Sequence, residues 1–461
     1  METELCPPAA IATADETLSA GLRIERRRQP RMIGETPDSH LDDRAARGGW
    51  SRRLLFIVLT STLAVVIAYL KSRNVISFWY GPLFQVYSLA AAAYVLSRVA
   101  LSAFYKPPPD ARIWKSVSII VAVKNEEDHI AETVRRCFGA RYRRDLLEVM
   151  VIDDGSTDHT WDRLNELLPE FPKLRVFRFG KNKGKRHAMA LGAEKAYGEI
   201  LVFIDSDSYI EPEGIYRLIQ PFADPRVGAV AGHTLVVIEP DNFISKMEAV
   251  RYFVSQRVMK AAESVFGAVT CCPGPFSAYR REAMMKALPA WLNQTFLGTP
   301  ATFGDDRSLT NFILPHYRVV YHSRARCATY VPRLWNVFFR QQLRWKKSWV
   351  RETTVAVRFM WKKDAIAAIS YYVSVLVTVL SPLIAFRAML ILPLTEGSFN
   401  WAPYLMGLFL VYAFFGLVYQ YHTRSARWHY GFAFALLYVF FLSFQNYYAV
   451  LTVRRNHWGT R

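Results

Sequence analysis

Cysteine is scarce in this chain, which has five cysteines among 461 residues. They are Cys6, Cys137, Cys271, Cys272 and Cys327. Only Cys271 and Cys272 are close in sequence, and adjacent cysteines make a poor zinc chelate, so a cysteine-based zinc site is not expected. An odd number of cysteines without regular spacing indicates reduced thiols in a cytosolic compartment, buried as small apolar side chains.

Residues 1–50 lack any long apolar run. They are rich in Ala, Asp, Arg, Pro and Gly and show no sustained period, which predicts a mostly disordered cytosolic tail. Because the tail has no apolar h-region, we do not expect it to act as a secretory signal.

Apolar runs are abundant after the tail, and the whole chain is 52% hydrophobic with a formal net charge of +19. Residues 54–70 and 80–103 are about long enough to cross a bilayer, so residues 51–105 are predicted to form a transmembrane hairpin. Its basic flanks indicate that the open end lies in the cytosol. Residues 364–453 contain three more apolar stretches, and Gln445 and Asn446 predict that the last one is broken or re-entrant.

Acids are nearly absent from the basic block before these C-terminal stretches, where Glu352 is the one acid between residues 324 and 363. Nucleic acid could bind such a block, but the flanking apolar runs favour anionic membrane lipids as the partner. The spacing over residues 333–350 is helical and places aromatic side chains on one face. Residues 331–363 are therefore predicted to contain amphipathic interface helices.

Short apolar runs alternate with helical segments over residues 110–330, which predicts an α/β domain with a mostly parallel sheet. Ligands of such sheets bind beyond the carboxyl ends of the strands. The acid pairs at residues 153–154 and 205–207 follow two predicted strands, so both are expected to face one crevice. The spacing of Asp205 and Asp207 suits Mg²⁺ or Mn²⁺ held together with a diphosphate. A plain acidic loop is the alternative interpretation.

Basic residues in the segment GKNKGKR, at residues 180–186, resemble a phosphate loop but lack the P-loop pattern. They could contact a diphosphate at a helix start, and a solvated basic turn fits them equally well.

Two adjacent acids, Asp305 and Asp306, occupy a turn. An inverting sugar transfer needs a base for the acceptor hydroxyl. Adjacent side chains point in different directions, so one acid is predicted to be the base and the other the cap of a helix that begins near Ser308. Further along the chain, the ring face of Trp345 could stack on a sugar, and the guanidinium of Arg344 could donate two hydrogen bonds to phosphate oxygens. A Trp at a membrane interface is also a common membrane anchor.

Together these motifs resemble the processive family-2 glycosyltransferases, the group of hyaluronan, chitin and cellulose synthases. The likeness to hyaluronan synthases of the streptococcal type is carried by NKGKRHA (182–188), NQTFLG (293–298), GDDRSLTN (304–311), QQLRWKKS (341–348) and WGTR (458–461). It covers residues 54–461. It implies a GT-A fold inserted between transmembrane helices of a multi-pass plasma-membrane protein, with the catalytic domain in the cytosol and a C-terminal tail at residues 454–461.

The resemblance also implies the partners and the site. UDP-N-acetylglucosamine and UDP-glucuronate would be the substrates, Mg²⁺ or Mn²⁺ the cofactor, and a growing polysaccharide the product. Asp306 would be the base and Asp207 the metal ligand. The implied nucleotide contacts are Glu126, Asp154, Lys183, Lys185, Asp205, Gln341 and Arg344; the acceptor contacts are Gly274, Pro275, Ser277, Arg280 and Trp345; Trp458 and Arg461 would gate the site or contact the nucleotide.

Two positions depart from the family pattern. Lys124 replaces an aromatic or other non-basic residue before Asn-Glu, and Pro273 replaces a Ser before Gly-Pro, which put base stacking and acceptor binding there in question. A chitin oligosaccharide synthase that uses UDP-N-acetylglucosamine alone is the nearest alternative, and NQTFLG favours hyaluronan over it. A transferase acting on a lipid phosphate and a non-enzymatic membrane scaffold are the remaining hypotheses.

Overall fold

The computed structural model describes residues 50–78, 82–396 and 401–455. The predicted tail up to residue 49 and the segment with Trp458 and Arg461 lie outside the described residues. The strands are β1 Val117–Val123, β2 Leu147–Asp153, β3 Leu174–Arg178, β4 Ile200–Asp205, β5 Ser208–Ile210, β6 Val227–Val236, β7 Ser277–Arg280, β8 Thr295–Phe296, β9 Thr299–Pro300 and β10 Arg318–Thr329.

One eight-stranded sheet, in the order β3-β2-β1-β4-β7-β6-β10-β5, forms the centre of the domain. Strands β1, β2, β3 and β4 are parallel neighbours, as predicted. Strands β7 and β5 run antiparallel to their neighbours, so the sheet is mixed, with six strands in one direction. The strands that the apolar runs predict, at residues 116–123, 148–152, 175–179, 199–204 and 228–232, correspond to β1, β2, β3, β4 and β6 and begin within one residue of the predicted starts. Strands β5, β7 and β10 of this sheet were not predicted.

Helices cover the sheet, and further helices precede and follow the α/β domain along the chain. They are α1 Trp50–Phe78, α2 Pro82–Phe104, α3 Ile130–Phe138, α4 Thr160–Leu167, α5 Lys185–Lys195, α6 Gly214–Ile219, α7 Phe243–Phe253, α8 Ala261–Val265, α9 Arg281–Leu292, α10 Asp305–Ile313, α11 Trp335–Ala356, α12 Ala365–Phe386, α13 Leu392–Glu396, α14 Trp401–Thr423, α15 Tyr430–Leu437 and α16 Gln445–Leu451.

Alternate residues of the central strands enter two different cores. Ile119 in β1 packs in the cluster that contains Leu164 of α4, whereas its neighbour Ile120 packs in the cluster that contains Trp291 of α9. Strand side chains alternate between the faces of a sheet, so β1 is buried on both sides and reads as a continuous apolar run. The layers are therefore helix, sheet and helix, as the sequence predicts.

Among the described residues, Ala365–Thr395 is the single helix with the length and hydropathy of a membrane span. Ala426–Leu442 and Gln445–Leu451 form a second candidate if the two pieces, bent by 42°, count as one span. The break lies where Gln445 and Asn446 predicted it. The apolar parts of the N-terminal helices, Leu54–Tyr69 and Leu89–Phe104, are shorter.

Candidate active site

The carboxyl ends of β1, β2 and β4 meet at one edge of the sheet. Asp153 pairs with Val123 at the end of β1, and Asp205 pairs with Ala122 one residue earlier. Glu126 follows β1 in the next turn, is 8% exposed, and its backbone N–H donates to Thr160 Oγ1 at 2.7 Å. The two acid pairs therefore face one crevice, as predicted.

Asp154 connects the crevice to the basic loop. Its carboxylate accepts hydrogen bonds from the backbone N–H groups of Lys183 at 2.7 Å and Gly184 at 2.9 Å. Gly155 has φ +69°, and a Cβ there would lie 2.8 Å from the backbone of Lys181 and Asn182, so only glycine allows the loop to cross so closely. Burial raises the pKa of Asp154, against the effect of these hydrogen bonds. The loop at residues 180–186 is thus fixed against the site.

Lys185 is the first residue of α5 and forms an ion pair with Asp205. Burial alone would lower the pKa of Lys185, but the carboxylates around it, Asp205 first, raise it above its usual value. Asp305 and Asp306 also contribute to this rise, so the lysine lies within electrostatic reach of both acid pairs. Such a cation at a helix start suits a diphosphate.

Asp205 and Asp207 provide a donor set that fits a divalent cation. Burial, and then the charge of Asp205, raise the pKa of Asp207 to about 6, which shows that two carboxylates compete for limited solvation. The hydroxyls of Thr329 and Ser208 lie 3.3 and 3.4 Å from Asp207 Oδ1. Within the described ranges no group of three or more His, Cys, Asp or Glu side chains is placed to hold a metal. One or two carboxylates together with a diphosphate are a common ligand set for Mg²⁺.

The structure brings some residues of the predicted acceptor loop to the site and leaves others away from it. A Cβ on Gly274 would lie 3.1 Å from Asp205 Oδ2, so Gly274 and the adjacent Pro275 border the crevice. Ser277 is 2% exposed inside β7. Arg280 pairs with Ile200 at the amino end of β4 and donates to the backbone carbonyls of residues 222, 224 and 227, at the opposite edge of the sheet from Asp205. The structure therefore does not bring Arg280 to the site, because β7 runs antiparallel to β4.

The acids Asp305 and Asp306 have different surroundings. Asp305 is 4% exposed and accepts a hydrogen bond from Arg186 Nε at 2.7 Å. Asp306 is half-buried, and its Oδ2 accepts a weak contact from the thiol of Cys271 at 3.6 Å. The helix begins at Asp305 with Gly304 as its N-cap, so the predicted start near Ser308 and the predicted Asp cap are wrong. Both acids lie in the first turn, where the helix dipole stabilises negative charge.

Helix α11 carries the QxxRW segment and confirms the predicted helix. Gln341, Trp345, Ser348 and Glu352 recur every three or four residues and lie on one face. The buried positions of the helix include Gln342, Arg351 and Glu352. These buried side chains are polar because the second half of α11 packs on α10 of the catalytic domain.

Trp345 lies against a cation. The Arg251 guanidinium lies 4.9 Å from the ring centroid, within the range of a cation–π interaction. Glu248, which is fully buried, accepts two hydrogen bonds from Arg251 at 2.8 Å. This pair packs against one face of the Trp345 ring.

Arg344 lies near the acids, and Gln341 precedes it by about one turn of α11. Burial lowers the pKa of Arg344, while the carboxylates of Asp306 and Asp205 act in the opposite direction, so the guanidinium lies within electrostatic reach of both. The Gln341 Oε1 atom is buried and has no hydrogen-bond partner within the described part of the chain. An orphaned amide oxygen at a crevice fits a ligand donor.

Sequence reasoning missed several residues around the site. Arg186, Arg251 and Glu248 form buried ion pairs that support Asp305 and Trp345. Arg186 belongs to a motif that the sequence singled out, but nothing in its spacing showed that its side chain enters the core. Arg251 and Glu248 are three apart on α7, a spacing that also occurs on solvated helix faces.

The site lies on a mixed α/β sheet, and comparison with known proteins identifies the class of protein. Residues 118–288 match the family described as Glycosyl transferase family 2. A mannosyltransferase from Pyrobaculum calidifontis, solved in complex with GDP-Man and Mn²⁺, superposes with a TM-score of 0.52 at 22% identity, covering 77% of this chain and 98% of that one. The protein is a family-2 glycosyltransferase with a GT-A-like fold.

Two relatives in sequence indicate the type of family-2 glycosyltransferase. The hyaluronan synthase of Streptococcus pyogenes is 30% identical over 426 residues, which cover 88% of this chain and 96% of that protein. An N-acetylglucosaminyltransferase of Mesorhizobium japonicum is 33% identical over 260 residues, covering 55% of this chain and 60% of that protein. The chain belongs to the hyaluronan synthase type of family-2 glycosyltransferases.

Proposed function

We propose that this protein is a membrane-embedded inverting polymerase that builds a hyaluronan-like polysaccharide from UDP-N-acetylglucosamine and UDP-glucuronate and moves it across the membrane. The proposal depends above all on one observation. A single crevice combines the acid pair Asp205 and Asp207 with Lys185, and adds Asp306 and Arg344 from two further helices. These are the charges that a departing diphosphate and an attacking hydroxyl require.

On the donor side, the chain binds the nucleotide between strand ends and the basic loop. Glu126 and Asp154 would contact the uridine, and Lys183 and Lys185 would contact the diphosphate. Asp205 and Asp207 would hold Mg²⁺ or Mn²⁺, which would neutralise the charge on the leaving diphosphate. Arg344 and Gln341 contact the same diphosphate from α11.

In the transfer step, Asp306 accepts the proton of the acceptor hydroxyl as that oxygen bonds to the anomeric carbon of the donor sugar. The bond from that carbon to the diphosphate breaks, and UDP leaves with the bonding electrons. One displacement inverts the anomeric centre. Asp305 cannot fill this role as readily, because Arg186 occupies its carboxylate.

The acceptor end would lie against Trp345, and Gly274 and Pro275 would contribute to the same site. Behind it, α16 packs on α11, and Lys346 Nζ lies 3.2 Å from Asn446 Oδ1 in the broken C-terminal segment. Polar groups there support a path for a hydrated polymer between helices. The predicted multi-pass arrangement in the plasma membrane, with a cytosolic catalytic domain, is part of this proposal.

Chelation of divalent metal with EDTA should abolish sugar transfer, and Mn²⁺ or Mg²⁺ should restore it. The reason is that Asp205 and Asp207 are themselves anionic, so the charge on the leaving diphosphate has to be neutralised by a cation that they would hold. Sugar incorporation measured before and after metal is returned checks this. Full activity in EDTA would remove the proposed metal role of Asp207.

Replacing Trp345 with Ala should raise the KM for an oligosaccharide acceptor about 30-fold and leave the Kd for UDP nearly unchanged. Truncation of an aromatic anchor in a binding site costs about 2 kcal/mol, which corresponds to that factor. Trp361→Ala is the matched control, since Trp361 is 62% exposed and lies outside the crevice. A larger effect on UDP binding than on acceptor KM would contradict the acceptor role.

The function is tested with purified protein and Mn²⁺ by measuring UDP release from each donor alone and from both together. Much faster release with both donors supports the heteropolymer. The similarity to an N-acetylglucosaminyltransferase favours a second candidate, a chitin-type synthase. Equal release with UDP-N-acetylglucosamine alone would establish that candidate instead.

A further inference from the structure

A largely buried polar network, whose central side chains have no role in the transfer step, joins the helices α5, α10 and α11. Its centre is the amide of Gln294, in the NQTFLG segment. Gln294 Oε1 accepts hydrogen bonds from Ser308 Oγ at 2.6 Å and Arg186 Nη1 at 3.2 Å. Gln294 Nε2 donates to Glu352 Oε1 at 3.0 Å. The amide thus connects α5 and α10 on one side with α11 on the other.

The orientation of this amide is fixed by chemistry. Arg186 can only donate, so it must face the Gln294 oxygen, and a carboxylate can only accept, so Glu352 must face the nitrogen. Glu352 is fully buried and also accepts hydrogen bonds from Arg351 Nε at 2.7 Å and Asn311 Nδ2 at 3.1 Å. A carboxylate buried to this extent is tolerated only with such partners.

Charges in the network balance. The pair Arg186 and Asp305 lies on one side of Gln294, and the pair Arg351 and Glu352 on the other; the side chains of both pairs are at most 4% exposed. Two cations therefore meet two anions around one neutral link. Removing one partner of such a network leaves an uncompensated buried group, so the geometry is strongly specified.

The network connects the base to the acceptor surface. Asp305 directly precedes Asp306, and Glu352 lies two helical turns after Trp345 on the same face of α11. Building on the proposed function, we propose that Gln294 and Glu352 are positioning residues that hold the helix of Asp306 at a fixed distance from the helix of Trp345. A displacement of about 1 Å between reacting groups can cost about 10²-fold in rate.

The ratio of sugar transferred to UDP released tests this role. Water needs no binding surface on α11, so hydrolysis of the donor continues when the acceptor is misplaced, whereas loss of folded protein lowers both rates in proportion. Gln294→Glu and Glu352→Gln should each lower the ratio roughly tenfold to a hundredfold. The double variant restores one carboxylate facing one amide and should recover most of the loss, as coupled residues do.

Asn293→Ala is the matched control, because the neighbouring Asn293 is exposed and bonds only locally, to Pro289 O. Gln294→Asn keeps the amide but shortens the side chain, and it carries the same test if a charged substitution prevents folding. Equal losses of transfer and hydrolysis, or a double variant no better than the single ones, would overturn the positioning role. Absence of transfer by the wild-type protein would instead refute the proposed function on which it rests.

Discussion

Asp306→Asn should lower the rate of sugar transfer by roughly 10²- to 10⁴-fold, the usual cost of losing a positioned general base. Asn has nearly the same shape but cannot accept the hydroxyl proton. UDP binding should persist, because the donor contacts lie on the strand ends and the basic loop. Initial rates of sugar incorporation, together with UDP affinity by calorimetry, check both parts.

Asp305→Asn is the matched comparison, since it makes the same change one residue earlier. Arg186 is buried against Asp305, and removing one partner of a buried pair costs about 3–5 kcal/mol. Asp305→Asn should therefore lower the thermal midpoint, whereas Asp306→Asn should leave it unchanged. Normal turnover by Asp306→Asn, or a rate loss confined to Asp305→Asn, would exclude Asp306 as the base.

Gly304→Ala should reduce sugar transfer by about 10²-fold or more. Gly304 has φ +75°, which costs an L-residue about 1–2 kcal/mol. A Cβ there would also overlap the Oγ and Cβ atoms of Ser348 on α11. Rotation of the hydroxyl relieves only one of these contacts, so α11 must move away from Asp306.

Gly298→Ala separates strain from overlap. Gly298 has φ +78°, yet a Cβ there meets nothing within 4 Å. It should cost stability slightly and leave the transfer rate near that of the wild type. Ser348→Gly in the Gly304→Ala background should restore much of the activity, since it removes both overlapping atoms. Equal rates for Gly304→Ala and Gly298→Ala would refute close packing of α11 on the catalytic turn.

Local patterns in the sequence predicted the central strands, the acids that follow them and the break in the last apolar stretch. The apolar runs of β1, β2 and β4 were found because strands buried on both faces read as continuous apolar segments. The acids after them followed from strand direction alone. The break near Gln445 was also predicted, because polar side chains interrupt an apolar stretch there.

Features that depend on contacts between distant segments were not predicted. The short strand β7 returns antiparallel between β4 and β6, and this direction alone carries Arg280 away from the site. The first turn of α10 begins at Asp305 because Gly304 adopts a left-handed conformation under Ser348, a contact that spans more than forty residues. The spacing of residues within one segment does not reveal such contacts between distant segments.

The NQTFLG segment shows the same limit. The sequence treated it as an indicator of the product, but the structure uses Gln294 to connect two ion pairs. The Gln294 amide bonds to side chains of α5, α10 and α11 at once, so its role here is in packing between helices. A motif shared with relatives can thus reflect architecture around a site as well as contacts with a substrate.

The mass of the product made by the purified protein with Mn²⁺ and both UDP-sugars would decide whether this chain is a heteropolymer synthase. We expect a high-mass polymer that contains both sugars and is absent when either donor is omitted or when Asp306 is replaced by Asn. A polymer of N-acetylglucosamine alone, or free sugars without polymer, would contradict it.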